Sequence, residues 1–250
     1  MVVGLLHPGE MGAALGAALA RRAVTVVWAS EDRSNATSER ATTAGLEDVG
    51  SIRQLAHRSD VIVSVCPPHA AADVAESVAG FRGIFVDANA IAPETTRAVG
   101  AGLERFVDGG IVGAPPRSAG TTRLYLSGPE AAAIAELFDG TELEARVLSA
   151  AIGDASALKM VYAAWTKGTA ALLLAIRDVA RFNAVDEALL AEWQLSIPQL
   201  VDQLPRAERS AATKGWRWVG EMEEIAKTFT AAGEPEGFHE AAAEVFRRDK

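Results

Sequence analysis

The beginning of this chain alternates between strand and helix around a short glycine-containing turn. Residues 2–6 are apolar and predict a buried strand, residues 13–22 are Ala-rich and predict a helix, and residues 24–28 predict a second strand. The segment His7-Pro8-Gly9-Glu10-Met11-Gly12, which we call the glycine turn, joins the first strand to the helix. A helix that starts after such a turn presents bare backbone N–H groups to a pyrophosphate. The pattern is therefore typical of a dinucleotide-binding domain.

The glycine turn keeps two of the three glycines of the G-x-G-x-x-G fingerprint. Gly9 takes the second place, where the pyrophosphate approaches the backbone, and Gly12 the third, where helix and strand pack closely. His7 stands in the first place, and we interpret it as a turn residue near the cofactor rather than a catalytic group. The alternative is a purely structural turn. The residues predicted to bind the cofactor here are His7, Pro8, Gly9, Glu10 and Met11.

Short apolar runs continue to alternate with helical patterns as far as about residue 150, and this alternation predicts a mainly parallel sheet with helices on both faces. From Gly153 onward the pattern predicts helices only. The first of them, residues 155–182, is unusually long, and Pro205 is predicted to separate helices at 197–204 and 207–231. The predicted fold is an α/β Rossmann-type doubly wound sheet (1–150, binding NAD(P)) followed by a smaller all-α domain (151–250, for substrate and dimerisation).

The end of the second strand bears on the choice between NADP and NAD. An arginine there accommodates a 2′-phosphate, whereas an acidic residue binds the free ribose hydroxyl. Ser30, Arg33 and Ser34 favour NADP, because a guanidinium and hydroxyl groups bind phosphate well. Glu31 and Asp32 favour NAD, which stays possible. The alternative is that this segment is an exposed polar loop without a role in binding.

Two further segments follow strands at the edge where open α/β sheets bind ligands. Cys66, Pro67 and Pro68 come after the predicted strand 61–65 and are expected to run along the dinucleotide. Asn89 follows the strand 84–87, and its amide can donate to cofactor or substrate. For Asn89 the alternative is a turn-capping role.

Composition excludes several other classes of protein. The net charge of −9 argues against nucleic acid or an anionic membrane as a partner. The single cysteine, Cys66, allows neither an internal disulfide nor a cysteine-based zinc site, and the four histidines lack metal-ligand spacing. No signal peptide or membrane-spanning run is visible in the sequence, so we expect a soluble cytoplasmic protein without a bound metal.

Taken together, these features resemble the β-hydroxyacid dehydrogenase and 6-phosphogluconate dehydrogenase superfamily, in particular a branch with a short helical C-terminal domain of unknown function. Four segments carry the resemblance: residues 4–12, Asp87-Ala88-Asn89-Ala90-Ile91-Ala92-Pro93, Asp108-Gly109-Gly110-Ile111-Val112-Gly113-Ala114, and Gly153-Asp154-Ala155-Ser156-Ala157-Leu158-Lys159. The resemblance implies that Lys159 is the catalytic acid/base and that 108–114 is a substrate loop, contributing Gly110, Val112 and Gly113.

The chain departs from this family where the family holds a substrate carboxylate. Ala163 replaces an asparagine, Val112 replaces a serine, and Asn89-Ala90 replaces a Ser-Thr pair; a second lysine, followed by Asp in the family, falls near Glu221-Met222. Each change removes a polar contact. We therefore expect a substrate other than the ordinary β-hydroxyacids.

The long helix carries the predicted chemistry. Lys159, Tyr162 and Thr166 follow one helix stripe, so Tyr162 is placed to contact substrate or assist proton transfer by Lys159. The alternative for Lys159 is a surface lysine. Trp216 is expected to line an apolar substrate pocket, although core or dimer packing explains it equally well.

The predicted function is an NADP-dependent oxidoreductase that transfers hydride between nicotinamide and a small carbonyl or alcohol substrate, with Lys159 as general acid/base. One alternative is an imine reductase of the same architecture; another is a non-catalytic NADP(H)-binding protein. We also expect a homodimer formed through the helical domain. The face predicted for that contact consists of Ala163, Ala164, Ala170, Ala171 and Leu174.

Overall fold

A computed structural model describes residues 1–248 of the chain. The chain divides into two compact units, the first covering Met1–Lys159 and the second beginning at Met160. An eight-stranded, mostly parallel sheet with helices precedes an all-helical region, which confirms the predicted fold class. The division falls inside the long helix rather than just before it.

The sheet of the first unit has the order β3-β2-β1-β4-β5-β6-β7-β8. Only β6 and β7 pair antiparallel; the other neighbouring strands are parallel. The strands are β1 (Val2–Leu6), β2 (Thr25–Trp28), β3 (Glu47–Asp48), β4 (Val61–Ser64), β5 (Ile84–Asp87), β6 (Phe106–Gly113), β7 (Thr122–Ser127) and β8 (Leu143–Ser149). The strand order reverses between β1 and β4, where such sheets open a crevice for ligands.

Helices cover both faces of the sheet because successive strand residues point to opposite sides. Leu5 belongs to one apolar cluster with Leu15 of α1, whereas Leu6 belongs to the other with Leu55 of α3. The helices of the first unit are α1 (Glu10–Ala20), α2 (Asn35–Thr43), α3 (Ile52–Arg58), α4 (Ala71–Glu76), α5 (Pro93–Gly100) and α6 (Ala131–Leu137), and a 3₁₀ turn at Pro68–Ala70 precedes α4.

One row of residues marks the carboxyl ends of β1, β4 and β5 and the last residue of β6 that pairs with β5. Leu6 pairs with Ser64, Ser64 with Asp87, and Asp87 with Asp108. We call these four residues the edge row. The glycine turn, Cys66, Asn89 and Gly110 follow it directly, so the fold brings most of the predicted site residues of the first unit to one edge.

The prediction that residues 108–114 form a loop is wrong. Residues 108–113 continue β6 and pair antiparallel with β7, from Asp108 opposite Ser127 to Gly113 opposite Thr122. The loop was implied by the family resemblance, whereas the glycines here allow close approach: a Cβ on Gly109 would lie 3.0 Å from the Asp87 carbonyl oxygen.

The second unit contains four helices among the described residues, counting α7, which begins in the first unit. They are α7 (Asp154–Phe182), α8 (Asp186–Ser196), α9 (Pro198–Ala231) and α10 (Gly237–Arg248). The predicted break at Pro205 is wrong, because α9 runs through it. Pro205 is exposed, where water can replace the missing backbone donor.

The predicted dimer face of α7 is largely covered within the chain. Ala163, Ala171 and Leu174 are buried. A different stripe of α7 is exposed and apolar; it consists of Val161, Trp165, Leu172, Ile176, Val179 and Phe182. None of the helices within residues 1–248 has the length and apolar character needed to cross a membrane.

Candidate functional site

The glycine turn ends in a helix start whose N-cap residue is a glycine. Gly9 is the N-cap residue of α1 and has no side chain with which to bond the first-turn N–H groups, and a Cβ built on Gly9 would meet nothing within 4 Å. Gly12 is tightly packed, since a Cβ there would lie 2.6 Å from the His7 carbonyl oxygen. The two glycines thus have the spatial roles that the fingerprint predicts: open space for a ligand and close packing of helix on strand.

His7 takes the position of the missing first glycine at a conformational cost. Its φ of 71° lies in the left-handed region that glycine adopts freely. Its Nδ1 is buried and has no hydrogen-bond partner within residues 1–248. Burial, followed by the positive charge of Arg33, lowers the pKa of His7 to about 4. A neutral imidazole at pH 7 agrees with a turn residue beside a ligand and not with a proton donor.

The loop after β2 brings positive charge towards this turn. The charge of Arg33 acts on both His7 and Cys66. Ser34 caps α2 by accepting a hydrogen bond from the Thr37 N–H at 3.3 Å. Arg40 of α2 donates from Nη1 to the Pro8 carbonyl oxygen at 3.0 Å. Two arginines therefore approach the glycine turn.

Ser30 and the acidic residues beside it have less specific places. The Ser30 N–H donates to Asp48 Oδ1 at 3.1 Å, and the Glu31 N–H donates to the Gly50 carbonyl oxygen at 2.9 Å. Asp32 adopts a φ of 56°, which shapes the turn before Arg33. These bonds fix the backbone of the loop, and the side chains of Ser30 and Glu31 take no part in them.

Asn89 is buried and ties two strand ends together. Its Oδ1 accepts from the Cys66 N–H at 2.6 Å, and its Nδ2 donates to Ser64 Oγ at 3.1 Å and to Asp87 Oδ2 at 3.0 Å. The Asn89 N–H also donates to Asp87 Oδ1 at 2.9 Å. Both amide hydrogens are therefore used inside the protein. This corrects the expectation that the amide donates to a ligand, and favours the turn-capping alternative.

Burial changes the acidity of the groups around Asn89. Asp87 is 1% exposed, and its pKa rises to about 7, chiefly because burial disfavours the charge; the Asn89 hydrogen bonds oppose this and nearby Asp108 adds to it. Burial, and then the charge of Asp87, raises the pKa of the Cys66 thiol to about 12. A thiol that holds its proton so firmly is not a nucleophile.

Asp108 fixes the start of α7. Its carboxylate accepts four hydrogen bonds, from Ser127 Oγ (2.8 Å), the Gly153 N–H (3.0 Å), the Ser156 N–H (3.0 Å) and Ser156 Oγ (2.6 Å). Ser127 Oγ in turn accepts from the Ala155 N–H at 3.1 Å. The chain thus closes this helix start with its own buried carboxylate.

Lys159 follows one turn later, against β6. A Cβ on Gly110 would lie 2.6 Å from the Ala155 carbonyl oxygen and 3.0 Å from Lys159 Cβ. Only glycine leaves room for α7 to lie this close to the strand. Lys159 is therefore held at the edge of the sheet where the glycine turn, Cys66 and Asn89 lie.

The remaining predicted substrate residues are divided between the two units. Val112 is 3% exposed within β6, so its side chain offers a buried apolar surface. Gly113 ends the strand with a φ of 121° and serves the backbone turn. Tyr162 and Trp216 are about half exposed on α7 and α9 of the second unit, and the Arg217 guanidinium lies 4.8 Å from the Trp216 ring centre.

The second unit holds a buried ion pair that sequence reasoning passed over. Lys167 Nζ lies 2.7 Å from Glu221 Oε1, and both side chains are largely buried. Glu221 lies near the position at which the family has its second lysine. In this chain the position is acidic, and the lysine that pairs with it, Lys167, lies on α7. The only available signal was that substitution. No cluster of three or more metal-ligating side chains occurs within residues 1–248.

Comparison with known proteins agrees with this architecture. Residues 180–248 match a domain of unknown function, DUF1932. A protein of Methanothermus fervidus described as an uncharacterised 28.5 kDa protein in the 7S RNA 5′ region is 29% identical over 193 residues, covering 76% of this chain and 75% of that protein. A conserved protein of unknown function, reported as structurally similar to 3-hydroxyacid dehydrogenases, is 28% identical with a TM-score of 0.73, covering 100% of this chain and 97% of its own. The resemblance to the β-hydroxyacid dehydrogenase-like superfamily is confirmed.

Other structures share the fold of this superfamily at lower identity. The 3-hydroxyisobutyrate dehydrogenase of Mycobacterium tuberculosis, with L-serine, is 16% identical with a TM-score of 0.72, covering 99% of this chain and 92% of its own. A reductive aminase from Aspergillus terreus, in complex with NADPH, is 15% identical with a TM-score of 0.61, covering 98% of this chain and 92% of its own.

Proposed function

We propose that this chain is an NADP-dependent oxidoreductase that transfers hydride between nicotinamide and a small carbonyl or alcohol substrate. The observation that carries the proposal is that one edge of the sheet holds both an uncapped helix start and Lys159. Bound nicotinamide would supply the hydride, and the protein would supply position and a proton.

The residues present fit a dinucleotide. The first-turn N–H groups of α1 lack a side-chain cap, and the space at Gly9 is open, as a pyrophosphate requires. Arg33 and Arg40 bring positive charge to the same turn. This charge favours NADP over NAD, because a 2′-phosphate binds well to guanidinium groups. The Aspergillus terreus reductive aminase of the same fold binds NADPH, which supports the choice of cofactor.

Lys159 is the proposed general acid/base. Gly110 leaves room for α7 to lie close to β6 and so brings Lys159 to the edge of the sheet. From there an ammonium group can donate a proton to the substrate oxygen as hydride arrives, and a neutral amine can accept one in the reverse direction. Tyr162, one turn further along α7, is proposed to assist.

The substrate is proposed to lack the carboxylate of ordinary β-hydroxyacids. Val112 and Ala163 are buried and apolar where the family has polar residues. The same observation supports imine reduction as a second candidate, since a C=N substrate needs no carboxylate contact. Comparing turnover of cyclic imines with turnover of the matching ketones distinguishes the two.

The test has two arms. Titration with NADPH and NADH measures cofactor binding, and NADPH-driven reduction of a carbonyl and imine panel measures turnover. We expect Lys159→Ala to lower turnover at least about a hundredfold while it leaves the NADPH dissociation constant nearly unchanged. Lys214→Ala, at an exposed lysine on α9, is the matched control. Equal rates for wild type and Lys159→Ala would remove Lys159 from the mechanism, and no binding of either nucleotide would overturn the whole proposal.

We further propose a homodimer formed through the second unit. The exposed apolar stripe of α7 supports this, with Trp165 at 74% and Phe182 at 90% exposure. Light scattering is expected to give twice the chain mass of 26.2 kDa, and Leu172→Glu is expected to give the monomer. A monomeric wild type would contradict the proposal.

A further inference from the structure

Asn89 can point its amide in only one direction. Its Oδ1 faces the Cys66 N–H, and its Nδ2 faces Asp87 Oδ2 and Ser64 Oγ. Rotating the amide by half a turn would set its NH₂ against the Cys66 N–H, two donors facing each other. The Cys66 N–H fixes the orientation on one side, and the acceptor oxygens of Asp87 and Ser64 fix it on the other.

Asp87 accepts with both oxygens from the same residue. Asn89 donates its backbone N–H to Oδ1 at 2.9 Å and its side-chain Nδ2–H to Oδ2 at 3.0 Å. Charge-assisted hydrogen bonds of this kind are about twice as strong as neutral ones. A proton added to Asp87 removes the charge and so weakens both of these hydrogen bonds.

The neighbouring acid of the edge row is held differently. Asp108 pairs with Asp87 across β5 and β6 and accepts four hydrogen bonds from Ser127, Gly153 and Ser156. Asp87, by contrast, accepts hydrogen bonds from Asn89 alone among residues 1–248. Asp87 has fewer hydrogen bonds, and its pKa is raised by burial and by Asp108, so Asp87 is the titrating group of this network.

We infer that Asp87 is a positioning residue for the cofactor-facing segment 66–68: its carboxylate orients the Asn89 amide, which holds the Cys66 N–H, so that protonation of Asp87 loosens the segment and weakens dinucleotide binding. This rests on the proposed function only where it concerns the dinucleotide. The proton comes from solvent, and no bond between heavy atoms changes.

The charged and titratable groups around Asp87 bring its protonation into the neutral pH range. Asp108 lies on the β6 side, Ser64 and Cys66 on the β4 side, and Arg33 acts on Cys66 from the loop after β2. Burial and Asp108 together raise the pKa of Asp87 to about 7, against a smaller opposing effect of the Asn89 bonds.

Fold stability and cofactor binding should then respond to acid in opposite directions. A carboxyl whose pKa is raised on folding binds its proton more tightly in the folded chain, so its contribution to stability grows as the pH falls from about 7 towards the ordinary value of 3.8. Cofactor binding, by contrast, needs the carboxylate. A residue that merely supported the fold would move both quantities together.

The first measurement uses the chain without cofactor. NMR follows the Asp87 carboxyl carbon and the Cys66 amide from pH 8 to pH 5. We expect one shared midpoint near 7 and a lower protection factor of the Cys66 amide at the acid end, once the intrinsic pH dependence of hydrogen exchange is divided out. A Cys66 amide that does not follow the Asp87 titration would overturn the inference, whatever the protein binds.

The second measurement is the dissociation constant of NADP⁺ by calorimetry over the same range. Asp87→Asn is expected to bind NADP⁺ weakly at every pH. The wild type is expected to lose about tenfold in affinity between pH 8 and pH 5.5, beyond any loss that Asp87→Asn shows over the same range. Because the ligand is the same, titration of its phosphates cancels between proteins. Asp73→Asn, at an exposed carboxylate of α4, is the matched control and should follow wild type.

The outcomes separate the two proposals. An Asp87→Asn profile as steep as that of wild type would overturn the role of Asp87 in binding. Absence of NADP⁺ and NAD⁺ binding at every pH would overturn the proposed function, while the coupling between Asp87 and Cys66 would still be decided by NMR. If Asp87→Asn does not fold, Ser64→Ala, which removes one contact of the same amide, is expected to shift the Cys66 amide midpoint; an unchanged midpoint would count against the network.

Discussion

Two helices begin at the same edge of the sheet and treat their free N–H groups in opposite ways. The start of α1 has glycine at the N-cap and open space around it. The start of α7 is closed by Asp108, whose carboxylate accepts from Gly153 and Ser156. One helix start is thus left for an external anion, and the other is satisfied internally. The difference separates a binding site from a positioning device that uses the same chemistry.

Removing the internal cap is expected to have the largest effect. Asp108→Ala leaves the buried donors of Gly153, Ser156 and Ser127 without their acceptor, which we expect to cost about 3 kcal/mol of unfolding free energy. Thermal and urea unfolding measure the loss. Asp139→Ala, at an exposed carboxylate after α6, is the control. A loss below that of an ordinary surface cap would show that the closed helix start is not important for stability.

Displacing α7 without touching its cap should affect catalysis more than stability. In Gly110→Ala the new methyl group would lie 2.6 Å from the Ala155 carbonyl oxygen, so α7 must shift and carry Lys159 with it. We expect turnover to fall about a hundredfold for a misplacement near 1 Å, with NADPH binding nearly unchanged. Gly102→Ala, where a Cβ meets nothing within 4 Å, is the control. Equal losses in both variants would contradict the assigned role of Gly110.

Closing the open helix start of α1 should change stability and NADPH binding in opposite directions. Gly9→Asp would place a carboxylate at the N-cap of α1, where the space is free and φ is −66°. We expect unfolding free energy to rise by about 1 kcal/mol while NADPH binding is lost. Melting temperature and calorimetry measure the two. Gly9→Ala supplies the side chain without the charge, and if it abolishes binding equally, bulk rather than charge excludes the ligand.

The smallest expected effect concerns His7. Its pKa falls from 6.5 to about 4 on folding, so the unfolded chain binds the proton more readily and stability is lost as the pH drops from 6.5 towards 4. His7→Gly removes this loss and the left-handed strain, and should stabilise by about 1 kcal/mol at pH 7. Unfolding at pH 7 and pH 5 tests both. An acid sensitivity that persists in His7→Gly must come from other groups.

The sequence predicted those features whose interacting residues are close together along the chain, and missed those whose residues are far apart. The β1–α1–β2 unit could be predicted because strand, turn and helix signals are adjacent. The continuation of β6 through Gly113 could not, since it depends on pairing with β7. Asp108 has the same difficulty: its helix partners lie 45 and 48 residues further along the chain. Asn89 was recognised as a site residue, but its occupied amide became visible only once β4 and β5 were side by side.

The Asp108 contacts also bear on the order of folding. They join segments that are distant along the chain, and loop closure makes such contacts expensive to form early. We therefore expect them to be absent from the folding transition state, so that Asp108→Ala accelerates unfolding and scarcely slows folding. The carboxylate that seals this helix would then act as a kinetic latch, setting how long the native state persists rather than how quickly it is reached.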